Sequence, residues 1–215
     1  MELDLNIIDR LLTSVVFIAL LSQNLAAAEY SITVTDQDQN PVADAIVSFT
    51  TPSTLSVNPK IAVMDQVSQQ FSPKVLVIEK NQQVVFPNSD NTRHHVYSFS
   101  PAKPFEIKLY SGTPNTSVTF DKAGVITLGC NIHDNMIAYI YVKQKEVAAL
   151  TNQDGTAVFK KTPDNVAFLW HFDMKKGDEK NAYQLKKIDE FNWSVEIELI
   201  QRRPKKSNTF KARYR

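Results

Sequence analysis

From Glu29 onward the apolar residues either alternate with polar ones or gather in short β-branched runs. Pro, Asn, Asp, Ser and Gly interrupt them at short intervals, and few stretches repeat at helical spacing. Period-two alternation bounded by turn residues is the signature of half-buried strands. In Phe105-Glu106-Ile107-Lys108-Leu109-Tyr110 the residues at 105, 107 and 109 share one face, while Glu106 and Lys108 point the other way. The pattern predicts strands over Tyr30 to Thr35, Ala45 to Thr50, Lys74 to Ile78, Gln83 to Phe86, Val96 to Ser100 and Phe105 to Tyr110. It predicts more over Ser117 to Phe120, Val125 to Leu128, Ile137 to Val142, Ala157 to Lys160, Val166 to Phe172 and Trp193 to Ile200. So many short strands at regular spacing imply an all-β sandwich or barrel. Asp65 to Ser72 is the one helix-permissive stretch, and Lys175 to Lys187 reads as a polar loop or short turn.

The two ends differ from this body. Leu11 to Leu21 is a largely apolar run, too short to span a bilayer comfortably, and Ala26-x-Ala28 follows it with small residues suited to a signal peptidase. Residues 1–28 are therefore expected to be a signal peptide cleaved before Glu29, although Glu2, Asp4 and Asp9 precede the run where positive charge is usual. Over all 215 residues, 24 Lys and Arg offset 23 Asp and Glu, but this balance hides a split. Residues 202–215 carry seven basic side chains, among them Arg202, Lys205 and Arg213, and no acid. Export would leave an acidic body with a basic tail, suited to an anionic membrane surface or an acidic partner. It would also make nucleic acid an improbable partner.

The length allows one or two domains, and the 43% hydrophobic content suffices for a core. The single cysteine, Cys130, excludes an intrachain disulfide, a Cys-rich zinc site and an iron–sulfur cluster held by this chain alone. Two segments outside the middle look related. Asp36-Gln37-Asp38-Gln39-Asn40-Pro41-Val42 lies between two strands, and Asn152-Gln153-Asp154-Gly155 forms a later turn. They resemble the opening and middle of small transthyretin-like or carboxypeptidase-regulatory β-sandwiches. That resemblance implies one discontinuous sandwich from residues 29–50 and 146–201, with 51–145 inserted. The alternative is an extra pair of edge strands followed by a C-terminal β-subdomain.

Chemistry concentrates in the middle. Three of the four histidines and the cysteine fall in Arg93-His94-His95-Val96 and Cys130-Asn131-Ile132-His133-Asp134-Asn135-Met136. Taken singly, a cysteine is usually a small buried hydrophobe, a histidine pair at a strand start is usually superficial, and a methionine before an apolar run is usually core. Together, a thiolate, two imidazoles and a thioether are the donors of a trigonal copper site with a weak axial ligand. Cys130, His133 and Met136 can come from one loop, and His94 or His95 supplies the remaining imidazole from a distant strand.

The Cys-x-x-His-x-x-Met spacing resembles that of the cupredoxins, or blue-copper proteins, in its short amicyanin-type form. Phe86-Pro87-Asn88-Ser89-Asp90 through His94-His95-Val96-Tyr97, with Gly129-Cys130-Asn131-Ile132-His133, is similar to the periplasmic cupredoxin-domain proteins often labelled methylamine-utilisation proteins. The resemblance covers residues 72–143 well and the flanks loosely. It implies a Greek-key β-sandwich with one type 1 copper held by His94, Cys130, His133 and Met136. It leaves His95 to tie its loop to Asn131 from behind the ligands. The implied function is one-electron transfer in the periplasm with a protein redox partner, and no enzymatic activity. The rival expectations are copper carriage or sensing without electron transfer, and recognition of an envelope partner by the second sandwich. Gly129 offers no side chain beside Cys130 for electron transfer, so exit at the edge of His133 is expected. His171 is expected beside core Trp170, and Met64 as a packing residue under the site.

Overall fold

The structure, a computed structural model, describes residues 28–50, 60–114, 116–174 and 180–200. The leader, save Ala28, and the basic tail lie outside the described residues. The strands are β1 (Tyr30–Thr35), β2 (Ile46–Thr50), β3 (Ala62–Val63), β4 (Asp65–Val67), β5 (Gln70–Ser72), β6 (Val75–Glu79), β7 (Gln83–Val85), β8 (His94–Ser98) and β9 (Phe105–Tyr110). They continue with β10 (Val118–Thr119), β11 (Gly124–Gly129), β12 (Ile137–Lys143), β13 (Glu146–Leu150), β14 (Thr156–Phe159), β15 (Val166–Trp170), β16 (Asn181–Gln184), β17 (Lys186–Lys187) and β18 (Asn192–Glu196). Every regular element among the described residues is a strand, so the fold is all-β.

The middle of the chain builds its own core. A five-stranded sheet in the order β6-β12-β11-β8-β9 accompanies the three-stranded β10-β7-β3. Their inward side chains, including Phe86, Val96, Phe120, Leu128 and Ile140, form one buried cluster that also contains Cys130 and Met136. The hairpin β11–β12 runs in register from Gly124↔Val142 to Gly129↔Ile137, so the segment between Gly129 and Ile137 is its connection. β8 lies beside β11 through Gly129↔Tyr97. These pairings bring the start of β8 and the β11–β12 connection to the same end of the sheet.

Strands from the two flanks pair with each other. One sheet has the order β14-β1-β18-β17 and another β13-β2-β15-β16. β1 thus lies between β14 and β18, and β2 between β13 and β15. Between these sheets sits a second core containing Ile32, Phe49, Phe159, Leu169 and Trp193. The turn at Asn152–Gly155 packs onto the chain near Pro41: Val34 N–H donates to Gly155 O at 2.8 Å. Gly155 has φ of +70°, and a Cβ there would lie 2.5 Å from Val34 O, so conformation and contact both demand glycine. A third cluster, Ile46, Val75, Tyr141 and Trp170, joins the two cores, with Tyr139 and Phe172 stacked beside it at 5.3 Å.

Six strands, β3, β4, β5, β13, β16 and β17, lie outside the predicted ones. Asp65 to Ser72 is the hairpin β4–β5, with Ser68 and Gln69 at its tip and positive φ of 53° and 57°. Two-residue hairpin turns need such left-handed positions, normally signalled by Asn or Gly. Here the turn is instead fastened by a distant carboxylate, since Asp90 accepts both the Ser68 and Gln69 N–H groups. The polar stretch to Lys187 contains β16 and β17 rather than only loop, because its edge strands expose most of their side chains. β13 carries the polar Glu146 at its start, which obscured its strand pattern.

Candidate metal centre

One donor atom each from His94, Cys130 and His133 lies within 4.8 Å of the others. His94 opens β8, where a register shift between His94 and Val96 breaks regular pairing with β9. Such irregularities re-aim side chains next to functional sites. Cys130 follows the last residue of β11 and is 4% exposed, while His133 projects from the connecting loop and is half-buried. The Cys130 sulfur is 3.8 Å from His133 Nδ1, and the His94 and His133 rings meet edge-on at 4.9 Å.

The loop is closed by its own backbone. Met136 N–H donates to His133 O at 2.9 Å, and Cys130 N–H donates to Met136 O at 3.2 Å. This closure carries Met136 back beneath the loop, where it is 1% exposed in the core cluster that includes Cys130. Met64 lies fully buried in the same cluster.

The environment of His94 is the most informative. The residue is fully buried, its Nε2 lies 2.7 Å from Asp90 Oδ2, and its Nδ1 is buried with no hydrogen-bond partner. Burial pushes the Asp90 carboxyl pKa up, but hydrogen bonds from Gln69 N–H, His94 and Ser68 N–H outweigh it and hold the group below the ordinary carboxylate range. An ionised carboxylate accepts only, so Nε2 is the protonated nitrogen by inference from the network, and Nδ1 carries the lone pair. A buried acceptor left unpaired is costly, and a metal ion would satisfy it. One carboxylate thus orients the imidazole and fastens the β4–β5 turn.

A second layer holds this arrangement. Asn88 donates from Nδ2 to Thr92 O and Tyr110 O, both at 2.9 Å, and its Oδ1 accepts from Asp90 N–H at 3.1 Å. Gln66 donates to Pro87 O at 3.0 Å and to the Tyr110 hydroxyl, which itself donates to Phe86 O. Burial pushes the Tyr110 phenol up to about 12. The sequence reading assigned no role to Asp90, Asn88, Gln66 or Tyr110. An Asn-x-Asp signature ahead of the histidine was the available signal, being an Asx turn.

His95 behaves differently from expectation. Its Nε2 pairs with Glu106 Oε1 at 2.8 Å rather than reaching Asn131, while Asn131 and His95 line the same cavity of about 420 Å³. His95 is not part of the three-donor cluster. Nor is His171, which is buried against Phe172 at 4.0 Å and accepts Asp173 N–H at Nδ1.

No protein-family model matches the chain. No curated protein matches it either. Several solved structures are similar over part of it. A copper-containing nitrite reductase from Thermus scotoductus is 25% identical across 44% of this chain and 25% of its own, with a TM-score of 0.38. The chain thus spans about a quarter of that protein's length. A reduced amicyanin variant is 18% identical across 41% of this chain and 87% of its own (TM-score 0.36). A purple cupredoxin from Nitrosopumilus maritimus is 19% identical across 38% of this chain and 99% of its own (TM-score 0.34).

Proposed function

We propose that residues 60–145 form a cupredoxin-type sandwich holding one copper ion, and that the protein is a one-electron carrier. The observation that carries this reading is the buried, unpartnered Nδ1 of His94, oriented by Asp90, beside the donors of Cys130 and His133. Two imidazoles and a soft thiolate, with a buried thioether behind them, form the donor set that suits both oxidation states of copper. In this reading His94, Cys130, His133 and Met136 would hold the ion. Bound copper would supply reversible one-electron chemistry. The chain's part is to hold the donors still, so that a change of oxidation state needs little rearrangement: Asp90 fixes His94, and the backbone closure from His133 to Met136 fixes the loop.

Burial of His94 and Cys130 leaves little room for a substrate, which favours electron carriage over catalysis. The remaining elements of the proposal are export to the periplasm, a protein redox partner, and contact of the basic tail with an anionic surface. They rest on the apolar leader and the charge split along the sequence. The flanking strands would then form a regulatory-like second sandwich.

The test is the visible and paramagnetic-resonance spectrum of protein loaded with copper(II). An intense thiolate-to-copper absorption, lost in Cys130→Ser, is expected. A copper-loaded wild type without that absorption would refute the type 1 reading. Repeated chemical oxidation and reduction with no loss of metal to a chelator would separate an electron carrier from a copper carrier.

A further inference from the structure

We infer that Tyr97 and Phe99 form a second electron port on the flank of the site, apart from the His133 edge. The inference rests on reading that site as an electron-transfer centre. Along β8 and the residue after it, His94, Val96 and Ser98 are buried inward, whereas His95, Tyr97 and Phe99 alternate onto the outer face. Tyr97 stands opposite Gly129 in the ladder. A Cβ on Gly129 would lie only 2.8 Å from both Cζ and Oη of Tyr97. The missing side chain of Gly129 is therefore a slot, and the Tyr97 phenol fills it. An aromatic ring thus packs on the backbone one peptide away from the Cys130 thiolate, at a position where the sequence offered no side chain.

The contact continues outward. The Tyr97 and Phe99 rings are 5.1 Å apart, and Phe99 is 85% exposed. Cavities of about 650 Å³ and 420 Å³ lie on either side of these two rings. Electronic coupling falls off far more slowly through packed atoms than across an open gap. Gly129, Tyr97 and Phe99 form a gap-free path from the thiolate to an apolar surface feature. The acceptor it fits is a one-electron oxidant presenting a flat, apolar edge. The step would move one electron from the copper held by His94, Cys130 and His133 to the acceptor, with the donor oxidised and the acceptor reduced by one electron and no bond made or broken, and Tyr97 would keep its proton because its ring bridges without being oxidised.

The experiment uses full-length, copper-loaded protein carrying a photo-oxidisable ruthenium polypyridyl label on Pro101→Cys, which lines the same cavity as Tyr97 and Phe99, or, separately, on Ile132→Cys beside His133. After flash oxidation of the label, the rate of electron arrival from the site is read. Tyr97→Leu and, separately, Phe99→Leu are each expected to cost the Pro101-labelled protein most of its electron-arrival rate and to leave the Ile132-labelled protein unchanged. Gly129→Ala must push the Tyr97 ring outward and is expected to slow the same route with the phenol still present. In metal-free protein, nuclear magnetic resonance should show the Tyr97 ring signals moving toward unstructured values in Gly129→Ala. No slowing, or equal slowing from both labels, with absorption and potential intact, would overturn the port alone. A missing thiolate absorption in the unlabelled protein would instead overturn the copper reading.

Discussion

At the scale of single residues, Asp90 has a role out of proportion to its exposure. It accepts the Ser68 and Gln69 N–H groups at 2.6 and 2.8 Å and meets His94 Nε2 at 2.7 Å. Asp90→Asn replaces one of two accepting oxygens by an amide donor, so the Ser68, Gln69 and His94 donors can no longer all be accepted and the hold on His94 weakens. Copper affinity should fall about 10–100-fold, the usual cost of losing a partner behind a ligand. Competition against a copper chelator checks this, and an unchanged affinity would remove Asp90 from the site's support. Tyr110 gives a prediction on pH. Burial keeps its phenol protonated up to about 12, against an ordinary 10.0 in the unfolded chain. The folded state therefore holds a proton that the unfolded state releases, and its contribution is whole below pH 10 and lost between pH 10 and about 12. Tyr110→Phe should be less stable than wild type to urea at pH 9, because Phe86 O and Gln66 lose their partner, and the two should converge toward pH 12. Parallel curves would show that the phenol does not titrate as described. Residues of this kind were illegible in the sequence because their partners are remote. Gln66 and Tyr110 are 44 positions apart, and Asp90 is 21 positions from Gln69.

At the scale of elements, the sequence was most legible where one strand has one wet face. β9 and β1 fall on the predicted bounds, and alternation follows burial along β1 and over Phe105–Lys108, but it breaks at the end of β9, where Leu109 is exposed and Tyr110 packs against the core instead. The spacing of Cys130, His133 and Met136 was legible for a similar reason: a hairpin connection is local, and its ends are set by β11 and β12. The β4–β5 hairpin was not, since Ser68 and Gln69 have little intrinsic preference for left-handed backbone and depend on Asp90. A non-glycine residue in that region costs about 1 kcal/mol, and Asn-Gly is the preferred pair for a two-residue hairpin. Replacing Ser68 and Gln69 together by Asn and Gly should stabilise the protein by about 0.5–1 kcal/mol in urea unfolding and lessen its dependence on Asp90. A loss of stability would mean that the turn is fixed by side-chain contacts of Ser68 or Gln69 rather than by backbone preference.

At the scale of the whole molecule, two cores share one chain, and the way the strands interleave decides which pieces can stand alone. The middle core uses only strands from β3 to β12. The other core draws β1 and β2 from before it and six strands from after it. The junction is both apolar and polar: Trp170 and Tyr141 pack together, while Tyr141 donates to buried Glu146 at 2.8 Å and Lys180 meets the same carboxylate at 2.6 Å. Each core should therefore tolerate separation only along the strand pairing, not along the sequence. A fragment of residues 29–145 leaves β1 without β14 and β18, and β2 without β13 and β15, exposing ladder edges and the apolar faces of Ile32, Val47 and Phe49. Such edges recruit other chains, so this fragment should aggregate. A fragment of residues 60–145 carrying Val75→Thr, which softens the exposed junction, keeps every strand of its own core and all four proposed ligands. It should remain monomeric in sedimentation and keep the thiolate-to-copper absorption of the full chain. If the longer fragment proved the better behaved, the flanking strands would have to belong to the copper-bearing unit, contrary to their pairing.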